Sequence, residues 1–201
     1  MVYRVESAEG NPRVVKDCAT LPWYSRGLAR FLMGRERRLM RRLEGLSGFP
    51  VVREKIDRNA FSMGVMKGSV LSPDNFRLAP RRIADDLLQQ VSRMHERGVF
   101  HLDLRQRQNI LLGPGMEVLI LDFGAGWAPN PVARKVFGKL LGEIDRSAAL
   151  KYLARFSPKD LTREEAAEVL RGIRRRKMWI LSPYRSRGVE EAVQERLKNG
   201  P

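Results

Sequence analysis

Three short segments hold residues whose types and order can do chemistry together. They are His101-Leu102-Asp103-Leu104, Asn109-Ile110-Leu111-Leu112 and Leu121-Asp122-Phe123-Gly124. Asp103 follows a short buried stretch and puts a carboxylate on a loop beside a helix end, where it can accept or orient a hydroxyl proton. Asn109 is an oxygen ligand leading into an apolar strand. Asp122 ends a second apolar strand, and the nearby Gly124 allows tight backbone geometry. An aspartate and an asparagine brought together make a hard-oxygen site suited to magnesium with bound phosphates. Two strands joined by Gly113-Pro114-Gly115 would bring Asn109 and Asp122 to one edge.

The elements around these segments follow from periodicity and turn chemistry. Tyr3 and Val5, then Val14 and Val15, flank Glu9-Gly10-Asn11-Pro12 and predict a hairpin, with Lys16 leaving its second strand. Residues 21–34 are mixed: Leu21-Pro22-Trp23-Tyr24 punctuates, and Leu28, Phe31 and Leu32 have helical spacing. A stronger helix is predicted at about 35–46 on Leu39, Leu43 and Leu46, ended by Ser47-Gly48-Phe49-Pro50. Val51, Val52 and Ile56 predict a strand, and Ala60–Met66 another. Ile83, Leu87, Val91 and Met94 mark an amphipathic helix over 80–97, stopped by Gly98. Val118–Leu121 is an apolar strand running into Asp122. Beyond it, helices are predicted over 132–142, 145–156 and 162–178, the last with Thr162 as cap and Glu165 closing the box. Strands with one helix, followed mostly by helices, make an α+β chain.

The ordered set resembles the catalytic loop and metal-binding loop of the protein-kinase superfamily. Thirteen positions separate Asn109 from Asp122, which fits that family. The resemblance implies a two-lobed protein-kinase-like fold with a reduced N-lobe sheet and a short helical C-lobe. The chain is then one kinase-like domain: N-lobe 1–66, C-lobe 67–180 and a basic polar tail 181–201. It implies that Asp103 is the catalytic base and that Asn109 and Asp122 hold the metal. Lys16 takes the place of the strand lysine that holds the nucleotide phosphates, with Glu36 as its ion-pair partner and Glu44 as the rival. Met63, Val65 and Met66 fall in a segment that resembles the hinge receiving adenine, although Met63 and Met66 suit a plain core role equally. His101 braces the catalytic loop, and His95 is a surface or capping residue.

The chain departs from the family pattern in four places. No Gly-rich loop precedes Lys16: fifteen residues stand before it, and Gly10 is the lone glycine. Asp103 and Asn109 are six positions apart, one more than the usual spacing, which makes Gln108 a competitor for the metal-facing place. Leu102 replaces the arginine of regulated kinases. No Ala-Pro-Glu segment follows Gly124. These departures are similar to compact bacterial relatives, the lipopolysaccharide-core (Kdo/heptose) kinases and the RIO-type atypical kinases.

Composition bounds the partners. Lys and Arg number 38 against 23 Asp and Glu, a formal net charge of +15, so polyanions are the natural partners. Arginines gather at Arg35, Arg37, Arg38, Arg41 and Arg42, at Arg171, Arg174, Arg175 and Arg176 beside Lys177 and Trp179, and at Arg105 and Arg107 inside the catalytic loop. Arginine suits phosphate geometry. An anionic acceptor or an anionic membrane surface is expected, and nucleic acid has no recognised module in its favour. The single cysteine, Cys18, excludes an internal disulfide and a multi-cysteine zinc site and fits a reducing compartment. With no signal-like or membrane-spanning apolar run, the expected place is the cytoplasm or the inner membrane face.

The expected function is an ATP- and magnesium-dependent phosphotransferase acting on a hydroxyl, either a glycolipid or lipopolysaccharide sugar or a protein Ser/Thr. The competing readings are a catalytically weak or inactive kinase-fold binding module and a RIO-like RNA-associated ATPase.

Overall fold

The computed structural model describes residues 1–6, 12–177 and 187–198. The predicted turn residues Glu9, Gly10 and Asn11, and also Trp179, lie outside them. The described chain is mixed α+β, with two small antiparallel sheets and six α-helices. The first sheet has strand order β1-β2-β4-β3, from Val2–Val5, Arg13–Asp17, Val52–Lys55 and Ala60–Gly64. Strands β1 and β2 pair antiparallel, Val2 opposite Lys16, and β2 lies beside β4 with Lys16 opposite Phe61. Strand alternation sets Lys16 on the same face as Val14, which packs on the core. The second sheet, β5-β6-β7, joins Ser69–Val70, Ile110–Leu112 and Val118–Ile120. It places Ile110 directly opposite Ile120.

Helix α3 (Pro80–Glu96) buries Ile83, Leu87, Val91 and Met94 along one stripe, and Asp86 accepts the Val118 N–H at 2.6 Å, tying the helix to β7. These residues join one continuous core with Met40, Phe61, Phe123 and Leu153. Truncating Leu87, which is fully buried, to alanine is expected to cost about 2–5 kcal/mol in urea unfolding, the range for a large apolar side chain removed from a packed core.

Helix α1 differs from its prediction. It begins at Trp23 and runs unbroken to Arg42, with Pro22 as its N-cap residue. Its first half is not packed: Trp23 is 83% exposed, and Tyr24, Leu28 and Phe31 are also exposed. The core therefore gives this half no support, and Gly27 and Gly34 weaken its helical signal further. Both glycines sit inside the helix with open space where a side chain would begin. Gly34→Ala is expected to raise stability by about 0.5–1 kcal/mol in thermal or urea unfolding.

The later helices also differ from expectation. Helix α4 is one piece, Pro131–Phe156, where two were predicted. Its first half leaves Val132, Val136 and Phe137 exposed, while residues 147–154 are buried on every side. One helix crossing from surface to core shows two hydrophobic patterns, which is why it reads as two. A short helix α2, Pro73–Arg77, went unpredicted and is held by a reciprocal Ser72–Asn75 cap. Helix α5 (Arg163–Lys177) starts with the Thr162–Glu165 box, both bonds being made, at 3.2 and 2.9 Å. The tail expected over 181–201 contains helix α6, Arg187–Lys198, with Val193 fully buried and Arg196 Nε donating to the Leu161 carbonyl at 3.0 Å. Among the described residues no helix is long and apolar enough to cross a membrane.

Candidate active site

Lys16 sits at the centre of one half of the site. Its Nζ lies 2.5 Å from Glu36 Oε1 and 3.2 Å from Asp122 Oδ1. Glu36 enters from α1 and is buried, whereas the rival Glu44 lies exposed beyond the end of that helix. Burial pushes the Glu36 carboxyl above its ordinary range, and the adjacent Lys16 ammonium opposes that push without cancelling it. For Asp122 the balance is reversed. Burial alone would raise it, but Lys16 and the Gly124 N–H together hold its carboxyl below the usual carboxylate range.

Replacing Lys16 with methionine strands the Glu36 carboxyl in the interior. The expected cost is about 2–3 kcal/mol, limited because Glu36 can take up a proton. The native state then binds that proton more tightly than the unfolded chain does. The deficit is therefore smallest below the ordinary glutamate pKa and grows as pH rises through the raised value. Urea unfolding of Lys16→Met, with and without Glu36→Gln, at acid and neutral pH measures this. An unchanged midpoint for the single variant contradicts it.

Backbone conformation places Asp122. It adopts the left-handed region, with φ 56° and ψ 81°, and its side chain accepts the Gly124 N–H at 3.2 Å. A non-glycine residue held there is over-determined by its neighbours. Phe123 is fully buried, with its ring 4.9 Å from the His101 ring and 6.2 Å from Phe49. From α1, Arg35 Nη2 donates to the Gly124 carbonyl at 2.5 Å. Gly126 sits in a close approach, since a Cβ there would lie 3.1 Å from both the Phe100 and the Phe123 carbonyl oxygens.

The other half of the site is the loop from His101 to Asn109. Its six-residue spacing closes through two successive turns, the Gln106 N–H donating to the Asp103 carbonyl and the Asn109 N–H to the Gln106 carbonyl. Asn109 Nδ2 then donates both to the Asp103 carbonyl at 2.9 Å and to Asp103 Oδ2 at 3.2 Å. The extra residue is absorbed in this turn. Asn109, which is buried, adjoins Asp103, while Gln108 is exposed. The Leu121 N–H donates to the Asn109 carbonyl at 2.8 Å, which sets Asp122 next to this pair. His101 is fully buried, with Nε2 2.7 Å from the Leu121 carbonyl and Nδ1 accepting the Asp103 N–H at 3.3 Å.

Asp145, on α4, went unnoticed in the sequence and holds this loop. It is fully buried. Its Oδ2 accepts the His101 N–H at 2.8 Å, its Oδ1 accepts the Leu102 N–H at 2.7 Å, and His95 Nε2 lies 3.0 Å from Oδ2. His95 is therefore not the surface or capping residue expected: it supports Asp145 and stacks on Phe100 at 4.7 Å. The readable signal was an acid on the buried stripe of Leu141, Ala148 and Tyr152, since a carboxylate is rarely buried unless paired.

Met63, in β4, is paired across to Val14 and Val52 and belongs to the core. Val65 and Met66 are half-buried in the irregular connection between β4 and β5. Among the described residues, no three His, Cys, Asp or Glu side chains form a group able to hold a metal by themselves. Asn109 and Asp122 are oxygen donors of the kind that complete a magnesium shell when phosphates supply the rest. Cys18 is buried, with Sγ 3.3 Å from the Asn59 carbonyl. No family model matches the chain, and no curated protein matches it.

Proposed function

We propose that the chain is an ATP- and magnesium-dependent phosphotransferase with a two-lobed protein-kinase-like fold, acting on a hydroxyl acceptor. The observation that carries this reading is the convergence on Lys16 of Glu36 and Asp122, with Asp103 and Asn109 bonded to each other beside Asp122. One cation for phosphates, two oxygen donors for a metal and one carboxylate for a hydroxyl are together what phosphoryl transfer needs, because that chemistry is mostly positioning and charge neutralisation.

In this reading the four-stranded sheet and α1 form the N-lobe and the remainder forms the C-lobe, with the nucleotide between them. Met63, Val65 and Met66 receive the adenine, and Lys16, oriented by Glu36, holds the phosphates. Asn109 and Asp122 hold magnesium, which when bound neutralises phosphate charge. The acceptor oxygen bonds to the γ-phosphorus as the bond from phosphorus to the β–γ bridging oxygen breaks. ADP leaves, and the hydroxyl proton passes to Asp103. The same reading places the chain in the cytoplasm or against the inner membrane face, where its basic surface meets anionic lipid.

The test is a thermal-shift titration of the full chain with ATP and magnesium. A saturable rise in Tm that is lost in Asp122→Asn is the expected outcome. No shift at about millimolar nucleotide, the upper end of ordinary substrate affinities, favours the non-catalytic binding module instead.

A further inference from the structure

A cavity of about 370 Å³ lies beside the catalytic loop. Helix α4 contributes Lys151 and Arg155 to it, one turn apart, and the loop contributes Arg105 and Arg107. Ser72 and Gln108 add hydrogen-bonding groups to the wall. The frame is held in place: Tyr152 Oη donates to the Leu104 carbonyl at 2.8 Å, and Lys151 Nζ lies 3.4 Å from the Arg105 carbonyl. The Lys151 ammonium sits 5.4 Å from the centre of the Tyr152 ring. Lys151 is only 9% exposed. Burial, and then the charges of Arg105, Arg155 and Arg107, push its ammonium down to about 8. Cations gathered this closely repel one another, and an anion among them relieves the repulsion. Arginine forks match phosphate oxygens in pairs.

The location assigns the anion to the acceptor. Arg105 is two residues past Asp103, whereas Lys16, which holds the nucleotide phosphates in the reading above, reaches the site from the first sheet. We propose that this cavity is a phosphate-binding subsite for the acceptor, so that the substrate is a hydroxyl compound already bearing a phosphate group. The acceptor role rests on the phosphotransferase reading; the binding of a phosphate group here does not.

The full chain is titrated with glycerol phosphate, with vesicles of phosphatidate in phosphatidylcholine and with ATP and magnesium, at constant ionic strength. Arg107 and Arg155 are both exposed, so changing them leaves the core intact. Glycerol phosphate is expected to raise the Tm of the wild type. The Arg107→Gln/Arg155→Gln double variant should bind it about tenfold more weakly or worse. The Arg107→Lys/Arg155→Lys variant should recover part of the loss, and Lys16→Met should bind it as the wild type does. An unchanged circular-dichroism spectrum and an unchanged response to ATP show that the double variant is folded.

If only phosphatidate vesicles bind, and the two arginines are required, the phosphate belongs to a lipid headgroup and the subsite stands. The proposal is overturned if glycerol phosphate binds the double variant as well as the wild type, or if Lys16→Met abolishes its binding. It is also overturned if neither glycerol phosphate nor vesicles depend on the arginines. Failure of ATP and magnesium to bind, with the phosphate results intact, removes the phosphotransferase reading alone.

Discussion

If the chain transfers phosphate as proposed, Asp103→Asn should lower the rate by about 10²–10⁴-fold, the span attributed to a positioned acid or base, while nucleotide affinity stays at the wild-type level. The side chain keeps its shape, so the bond from Asn109 Nδ2 has an oxygen to reach and the turns around Gln106 persist. What is lost is the carboxylate that takes the acceptor's proton in the proposed mechanism. The nucleotide's partners in the proposed mechanism are Lys16, Asn109 and Asp122, none of which is altered. Single-turnover transfer and a binding isotherm, measured on the same preparations, separate the two effects. Full residual activity rejects Asp103 as the base. A parallel loss of binding indicates that Asp103 shapes the nucleotide site.

The second large effect is on stability. Asp145→Ala removes the acceptor for the His101 and Leu102 amides and for the His95 ring in one step. Each buried donor left without an acceptor costs about 1–3 kcal/mol, so the expected loss is about 3–5 kcal/mol. Leu102, at φ 65°, is a leucine in the left-handed region, and its N–H bond to Asp145 helps hold it there. Asp145→Asn keeps one acceptor oxygen and should lose clearly less than alanine does. Urea unfolding with a constant m-value measures both. A loss under about 1 kcal/mol for the alanine variant, the worth of a single ordinary hydrogen bond, would show that water replaces the carboxylate.

The parts of the fold and site that could be read in the sequence are those whose causes are local. Helix α3 carries one apolar stripe against one surface, so Ile83 to Met94 announce it. The box at Thr162 is two residues bonding each other, and that pattern is written in four positions. The segments around Asp103, Asn109 and Asp122 are likewise legible, because their order along the chain is also their arrangement in space. The pairing of Lys16 with Glu36 was reached only by resemblance, since nothing within 20 positions along a chain dictates which acid a strand lysine meets. Asp145 and His95 lay beyond that reach. Their roles are set by α4 passing behind the loop from His101 to Asn109, and a contact between residues 44 positions apart leaves no trace in periodicity. The start of α1 was only half legible, Leu28, Phe31 and Leu32 having helical spacing without fixing where the helix begins. Its apolar residues face outward, so the pattern that normally signals packing had no core to match.

The Asp145 attachment also decides which parts of the site open together. Asp103 and Asn109 hang from α4 and the second sheet, whereas Lys16 hangs from the first sheet. Helix α1, with Glu36, is tied to the Asp122 segment by the Arg35–Gly124 bond and the shared core, but Lys16 itself reaches Asp122 only through a partly exposed ion pair. A transient opening of the first sheet would therefore release Lys16, the phosphate cation of the proposed mechanism, while leaving Asp103, its proton acceptor, in place. In hydrogen–deuterium exchange, the amides of His101 and Leu102, although they belong to a loop, should exchange as slowly as those in the middle of α4. The amides of β1 and β2 should exchange far sooner, and a bound nucleotide should bring the two groups together.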